Sequence, residues 1–100
     1  MKLEFEKTIV VSTAHISQKD NELLKIEAEH IGDLLVVYHY DYGFRIFTGT
    51  PIDELVTQEV INKYSSTFCA LLRIAEKNNC DWLKLDCDGS LIEGLKRFYW

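Results

Sequence analysis

The chain has 100 residues, of which 47% are hydrophobic and 12% aromatic, and its 16 acidic and 11 basic residues give a formal charge of −5. This length predicts a single domain over residues 1–100, and the apolar share is too high for a disordered segment. The acidic balance argues against nucleic acid as a partner, because non-specific affinity for it comes from lysine and arginine. No apolar run approaches the ~20 residues that span a bilayer, so a membrane partner is not expected either.

The first part of the chain predicts a strand, a helix and then further strand. Residues 8–14 are β-branched and small, as is typical of a strand, and both faces are apolar enough to place it centrally in a sheet. Ser17 followed by Asp20 resembles a capping box for a helix that runs to about Glu29, buries residues up to Ile31 and ends at Gly32. Residues 34–42 and 44–48 continue as strand, either as a hairpin around Gly43 or as one long bent strand.

The second part predicts an amphipathic helix and a last strand. The helix begins at Thr50-Pro51-Ile52-Asp53, which supplies a cap, a proline and an acid. Apolar residues recur along one face from Val56 to Ala75, and the helix ends at Asn78-Asn79. Unbroken, it would be about 42 Å long at 1.5 Å per residue, too long for such a domain, so a break near Thr57 is expected. Residues 81–88 alternate as a strand, with Leu83, Leu85 and Cys87 on one face and Trp82, Lys84, Asp86 and Asp88 on the other.

The predicted fold class follows from this element order, β-α-β-β-α-β. Such an order is typical of an α+β, ferredoxin-like two-layer sandwich, with two helices on one face of an antiparallel sheet. Right-handed crossovers would then place the first and fourth strands towards the interior of the sheet. The remaining residues, 91–100, predict a helical turn around Ile92 to Leu95.

Residues 85–91, Leu-Asp-Cys-Asp-Gly-Ser-Leu, carry the strongest chemical signal. They look like the nucleophile motif of haloacid-dehalogenase-type phosphatases, but only eleven residues follow Gly89, whereas that motif closes the first strand of a large domain. If the chain is an enzyme, the expected catalytic residues are His15, Asp86 and Asp88, and the two carboxylates are the only metal ligands to expect. The alternative is a turn at Asp88-Gly89, with His15 bonded to the start of the first helix.

Aromatic residues predict a binding surface. Tyr38, Tyr40 and Tyr42 share one face of the second predicted strand and, with Trp82 and Trp100, are the expected ligand or interface residues. His39 is on the other face. Core packing by one or two of these rings is the alternative.

The three cysteines, Cys69, Cys80 and Cys87, indicate a reducing compartment. Their odd number and the lack of a Cys-x-x-Cys motif do not fit a secreted disulfide framework, and the first residues do not resemble a signal peptide. Spacings of eleven and seven match no common zinc module. We therefore expect a cytoplasmic protein without a cofactor.

Several short motifs in order resemble an uncharacterised family of small bacterial proteins found on plasmids, prophages and other mobile elements. The motifs are Ser12-Thr13-Ala14-His15-Ile16, Tyr42-Gly43-Phe44, Cys80-Asp81-Trp82-Leu83, Asp86 with Asp88-Gly89, Ile92-Glu93-Gly94-Leu95 and Trp100. The resemblance implies an accessory gene product and supplies no reaction.

Three functions are therefore predicted. The first is a non-catalytic protein-interaction module that binds a protein partner or forms a homodimer. The second is a small-molecule-sensing domain with a pocket lined by Tyr38, Tyr40, Phe44 and Trp82. The third is a small metal-assisted hydrolase or phosphotransfer enzyme using the residues named above.

Overall fold

A four-stranded sheet forms one layer of the computed structural model, which describes residues 3–29 and 34–100. The strands are β1 (Thr8–Ser12), β2 (Val37–Tyr40), β3 (Gly43–Phe47) and β4 (Trp82–Asp86). They lie in the order β1-β4-β3-β2, with β1 parallel to β4 and the other two pairs antiparallel. A mixed α+β fold is thereby confirmed.

Four helices form the second layer. They are α1 (Gln18–Glu29), α2 (Ile52–Leu55), α3 (Gln58–Lys63) and α4 (Ser66–Lys77), and one 3₁₀ turn, Thr13–His15, follows β1. The predicted break near Thr57 is confirmed, because the Thr57 side chain accepts from the Val60 amide and starts α3. A second break was not predicted: Ser65 accepts from the Phe68 amide and starts α4. Among the described residues, none of the helices is long and apolar enough to cross a membrane.

The start of α1 has the predicted capping box. The Ser17 amide donates to the Asp20 carboxylate at 2.9 Å, and the Asp20 amide donates to the Ser17 hydroxyl at 3.0 Å. The predicted cap at Gly32 and the predicted burial of Ile31 lie outside the described residues. At α2 the observed N-cap is Pro51 and no side chain caps it, so Thr50 does not play the predicted role.

The core lies between the helices and one face of the sheet. Alternation along the strands puts Val11, Leu83 and Leu85 on that face. Each of the four helices contributes at least one buried side chain to the same cluster, including Leu24, Leu55, Val60, Phe68 and Leu72. The helices therefore cover one side of the sheet only.

The predicted antiparallel sheet with an interior first strand is wrong. β1 is an edge strand whose one partner among the named strands is β4, although Val11 also forms an isolated bridge with Ser90, and its Val10 side chain is 43% exposed. The prediction placed the first and fourth strands towards the interior, and of these only β4 is interior, between β1 and β3. Apolar residues alternate along both β1 and β4, so the pattern within each strand does not reveal which of the two lies at the edge of the sheet.

The hairpin between β2 and β3 is confirmed, and the single bent strand is excluded. Tyr40 pairs with Gly43 across the turn Asp41-Tyr42. Gly43 is required by its neighbour, because an added Cβ would lie 1.8 Å from the Leu85 carbonyl oxygen. This close approach fixes how β3 meets β4 and which side chains face away from the helices.

Candidate functional site

The side of the sheet away from the helices is open to solvent and is called the open face. The register places three lines of side chains across it. The middle line consists of Val10, Lys84, Arg45 and Tyr38. The line on one side of it contains Trp82 and Phe47, and the line on the other side contains Asp86 and Tyr40. Apart from Ser12, none of the strand residues on this face is buried.

Trp82 is the centre of an aromatic group on the open face. Its ring lies 5.9 Å from the Tyr38 ring and 5.3 Å from the Phe47 ring, measured between centroids. The Arg45 guanidinium carbon lies 4.5 Å from the centroid of the same ring, within the range of a cation–π contact. The indole N–H donates to the Glu6 carboxylate. Trp82 is thus held in place from several sides.

Tyr40 and Asp86 form a second group beside it. The Tyr40 hydroxyl donates to the Asp86 carboxylate at 2.6 Å, and the Lys84 ammonium lies 5.3 Å from the centroid of the Tyr40 ring. Burial, followed by the hydrogen bond to Asp86, holds the pKa of Tyr40 well above its ordinary value. The same hydrogen bond, followed by one from the Asp88 amide, lowers the pKa of the Asp86 carboxyl group.

Asp86 and Asp88 come together as predicted, but in a turn. Ligand atoms of Asp86, Cys87 and Asp88 lie within 4.8 Å of one another. The Asp86 carboxylate already accepts from Tyr40 and from the Asp88 amide, and the Asp86 carbonyl accepts from the Gly89 amide. These bonds match the turn that the sequence offered as the alternative. Exposed acidic groups are common on protein surfaces without a bound metal ion.

His15 makes its hydrogen bonds elsewhere, although β1 and β4 are neighbours. The Ile92 amide donates to Nε2 at 2.8 Å, so Nε2 carries no proton, and Nδ1 therefore donates to the Lys96 carbonyl at 2.8 Å. The ring is fully buried. His15 thus anchors the last ten residues of the chain over the end of β1, and the structure does not bring it into the acidic turn.

The five predicted interface residues divide into two groups. Tyr38, Tyr40 and Trp82 lie on the open face, whereas Tyr42 is exposed in the hairpin turn, edge-on to Tyr40 at 6.4 Å. Trp100 lies against β1 and its 3₁₀ turn, where its indole N–H donates to the Ile16 carbonyl at 2.9 Å. The structure therefore brings three of the five predicted residues together on one face of the sheet.

The pocket predicted from Tyr38, Tyr40, Phe44 and Trp82 does not assemble. Phe44 is 1% exposed and lies in the core, on the opposite side of the sheet from the other three. A cavity of about 440 Å³ lies instead between α1 and β2, lined by Lys25, Ala28, Glu29, Val36, Val37, Tyr38 and His39.

Sequence reasoning did not single out Arg45 or Phe47. Both alternate with the core residues Phe44 and Ile46, and this pattern alone places them away from the core. Their position beside Trp82 depends on the register of β3 against β4, which a local pattern does not contain.

These observations define a class: a two-layer α+β domain with one sheet face covered by helices and the other left open. Within that class, the model of a family of unknown function (DUF5983), C-terminal domain, matches residues 8–100, and the chain belongs to this family. No curated protein and no solved structure matches the chain. An uncharacterised family was predicted, and this finding agrees with it.

Proposed function

We propose that the protein is a non-catalytic protein-binding module and that the open face is its docking surface. The observation that carries this proposal is that Trp82, Tyr38, Tyr40 and Arg45 lie side by side on the open face, where Tyr38 is exposed and the other three are partly exposed. Tryptophan, tyrosine and arginine are the residues most enriched at the centres of protein interfaces. Exposed apolar surface next to polar groups is typical of a binding site.

The open face suits a protein partner better than a nucleic acid. Single-stranded nucleic acids stack their bases on free aromatic faces within a basic groove. Here Arg45 covers the Trp82 ring and Lys84 lies over the Tyr40 ring. The chain also carries a formal charge of −5, which repels a phosphate backbone.

A different protein is a better partner than a second copy of the chain. A dimer with a two-fold axis through the open face would bring the same patch of each copy together. Arg45 and Lys84 occupy the middle line of that face, so the four cations of two copies would meet. Size-exclusion chromatography with light scattering tests this point, and the expected mass is that of one chain.

Site-specific photo-crosslinking in the producing cell tests the docking surface. A photoreactive amino acid replaces Tyr38 on the open face in one variant and Ile61, exposed on α3, in a matched control. We expect adducts of defined mass from position 38, none from position 61, and loss of the position-38 adducts when Trp82→Ala is added. Equal adducts from both positions, or none from position 38, would count against the proposal.

The cytoplasm is the proposed site of action. Cys69, Cys80 and Cys87 are all free thiols, which fits a reducing compartment. The resemblance to proteins of bacterial mobile elements supports a role as an accessory gene product. Identification of the crosslinked partner would test both statements.

A further inference from the structure

Two cations are placed next to each other in the middle of the open face. Arg45 and Lys84 are direct cross-strand partners in the antiparallel pair of β3 and β4. Like charges directly opposite each other on one face of a sheet destabilise it. The chain has 16 acidic residues, yet this line of side chains contains none of them between Val10 and Tyr38. Asp86 attracts Lys84 from the neighbouring line, but the line itself holds two cations and no acid, so it can accept a further negative charge from outside.

Two carboxylates flank this line of side chains, and each accepts hydrogen bonds from its own neighbours. Asp86 accepts from the Tyr40 hydroxyl and the Asp88 amide, and Glu6 accepts from the Trp82 indole. Arg45 and Lys84 both lie against aromatic rings on this face, and Lys84 is also attracted by the Asp86 carboxylate. A ring face attracts a cation without neutralising it, so the positive charge remains available to a ligand.

We infer that the open face binds an acidic segment of its partner protein, with carboxylates seated between Arg45 and Lys84. This inference rests on the proposed function and adds the chemistry of the partner. A guanidinium can hold one carboxylate through two parallel hydrogen bonds, and the lysine adds a point charge beside it. Apolar side chains of the same segment would lie against Trp82 and Tyr38.

A carboxylate fits this surface better than a phosphate backbone. An acid lies on each side of the cation pair. Asp86 is in the neighbouring line of side chains on one side, and Glu6 is beyond Trp82 on the other side. A strand of phosphates crossing the face along β4 would pass both acids, whereas a short peptide can place its carboxylates at the two cations alone. The two outer acids would also repel a peptide in the wrong register.

The two tryptophans allow a test with an internal control. Trp82 lies under Arg45, and Trp100 is anchored at Ile16. Labelling with 5-fluorotryptophan gives one ¹⁹F signal for each. The probes are a short peptide of alternating glutamate and leucine, its glutamine analogue, and an oligothymidine. We expect the glutamate peptide to shift the Trp82 signal and leave the Trp100 signal unchanged, with weaker binding at higher salt.

Charge-neutral variants identify the residues responsible. Arg45→Gln with Lys84→Gln should weaken binding of the glutamate peptide by roughly tenfold or more, because both attractive charges are removed. The matched control, Arg73→Gln with Lys77→Gln, removes the same charge from exposed positions on α4 and should leave the affinity unchanged.

Several outcomes would overturn the inference. They are equal shifts from the glutamine analogue, a response to oligothymidine alone, or no response to the glutamate peptide at millimolar concentration. Persistence of the position-38 crosslink in the Arg45→Gln, Lys84→Gln variant would also overturn it, while leaving the docking surface itself supported. Loss of the position-38 crosslink in the Trp82→Ala variant and in the Arg45→Gln, Lys84→Gln variant, but not in the α4 control, supports both the docking surface and the acidic partner segment.

Discussion

The hydrogen bond between Tyr40 and Asp86 shows how one contact shifts two pKa values in opposite directions. The tyrosine donates to the carboxylate at 2.6 Å, which favours the neutral phenol and the ionised acid together. The pKa of Tyr40 is raised, by burial first and by Asp86 second. In Asp86→Asn we therefore expect the pKa of Tyr40 to fall towards its ordinary value of about 10 without reaching it, because burial remains.

NMR titration of the Tyr40 ring carbon beside the hydroxyl measures this change. Asp88→Asn is the control, since Asp88 contributes its backbone amide and its substitution leaves the Tyr40 bond in place. A Tyr40 titration curve that is the same in Asp86→Asn and in the unmodified protein would show that the hydrogen bond does not form in solution.

The lowered pKa of Asp86 also gives stability a pH dependence. A carboxyl group whose pKa is depressed by folding stabilises the protein above its unfolded pKa, about 3.9, and that contribution is lost as pH falls through the lowered value. The difference in unfolding free energy between the unmodified protein and Asp86→Asn should therefore be constant near neutral pH and shrink in acid. Urea unfolding at a series of pH values measures it, and a difference that grows in acid would contradict the assignment.

His15 acts as a structural residue at the scale of a single side chain. Its two ring nitrogens satisfy the Ile92 amide and the Lys96 carbonyl, and the ring has no exposed surface. In His15→Ala both backbone groups lose their partner and a cavity forms, so we expect a loss of about 3 kcal/mol in unfolding free energy. His39→Ala, at an exposed position, should cost less than about 1 kcal/mol in the same urea titration. Equal losses would refute the anchoring role.

At the scale of elements, Asp20 joins the starts of two helices. It is 1% exposed and belongs to the capping box of α1, and its carboxylate also accepts from the Ser65 amide at 2.8 Å and from the Ser65 hydroxyl. Because Ser65 is the N-cap of α4, one carboxylate lies at two positive helix ends. This arrangement compensates for the burial of a charge.

A double-mutant cycle measures the strength of that connection. We expect Asp20→Ala to lower the unfolding free energy by about 3 kcal/mol and Ser65→Ala by about 1 kcal/mol. The double variant should lose roughly 1 kcal/mol less than the sum, because each single change already breaks the bond between the Ser65 hydroxyl and the Asp20 carboxylate. Strict additivity in urea unfolding would mean that the two helix starts are independent. Thr57→Ala combined with Asp20→Ala is the control, since Thr57 caps α3 instead.

The elements that depend on neighbouring residues were predicted well from the sequence. The capping box at Ser17 follows from side chains that bond to backbone amides three positions away, and the break near Thr57 follows from the length that an unbroken helix would have. The insertion of β4 between β1 and β3 depends on contacts between residues more than thirty positions apart, and alternation along each strand is compatible with either order. The same limit applies to the site: Trp82 and Lys84 were assigned to one face, but the position of Arg45 beside them required the register.

At the scale of the whole molecule, an open face used for binding should lower the stability of the fold where two like charges lie on neighbouring strands. Lys84 lies opposite Arg45 in a central strand, so Lys84→Thr removes a like-charge pair and adds a residue suited to strands. We expect the unfolding free energy of Lys84→Thr to stay the same or rise by about 0.5 kcal/mol, although affinity for the glutamate peptide falls.

Trp82→Ala should instead lose about 1–2 kcal/mol of unfolding free energy, since the Trp82 ring packs against Tyr38 and Phe47. Urea unfolding of the two variants separates the roles. A loss in Lys84→Thr as large as that in Trp82→Ala would show that the lysine stabilises the sheet and is not kept for a partner.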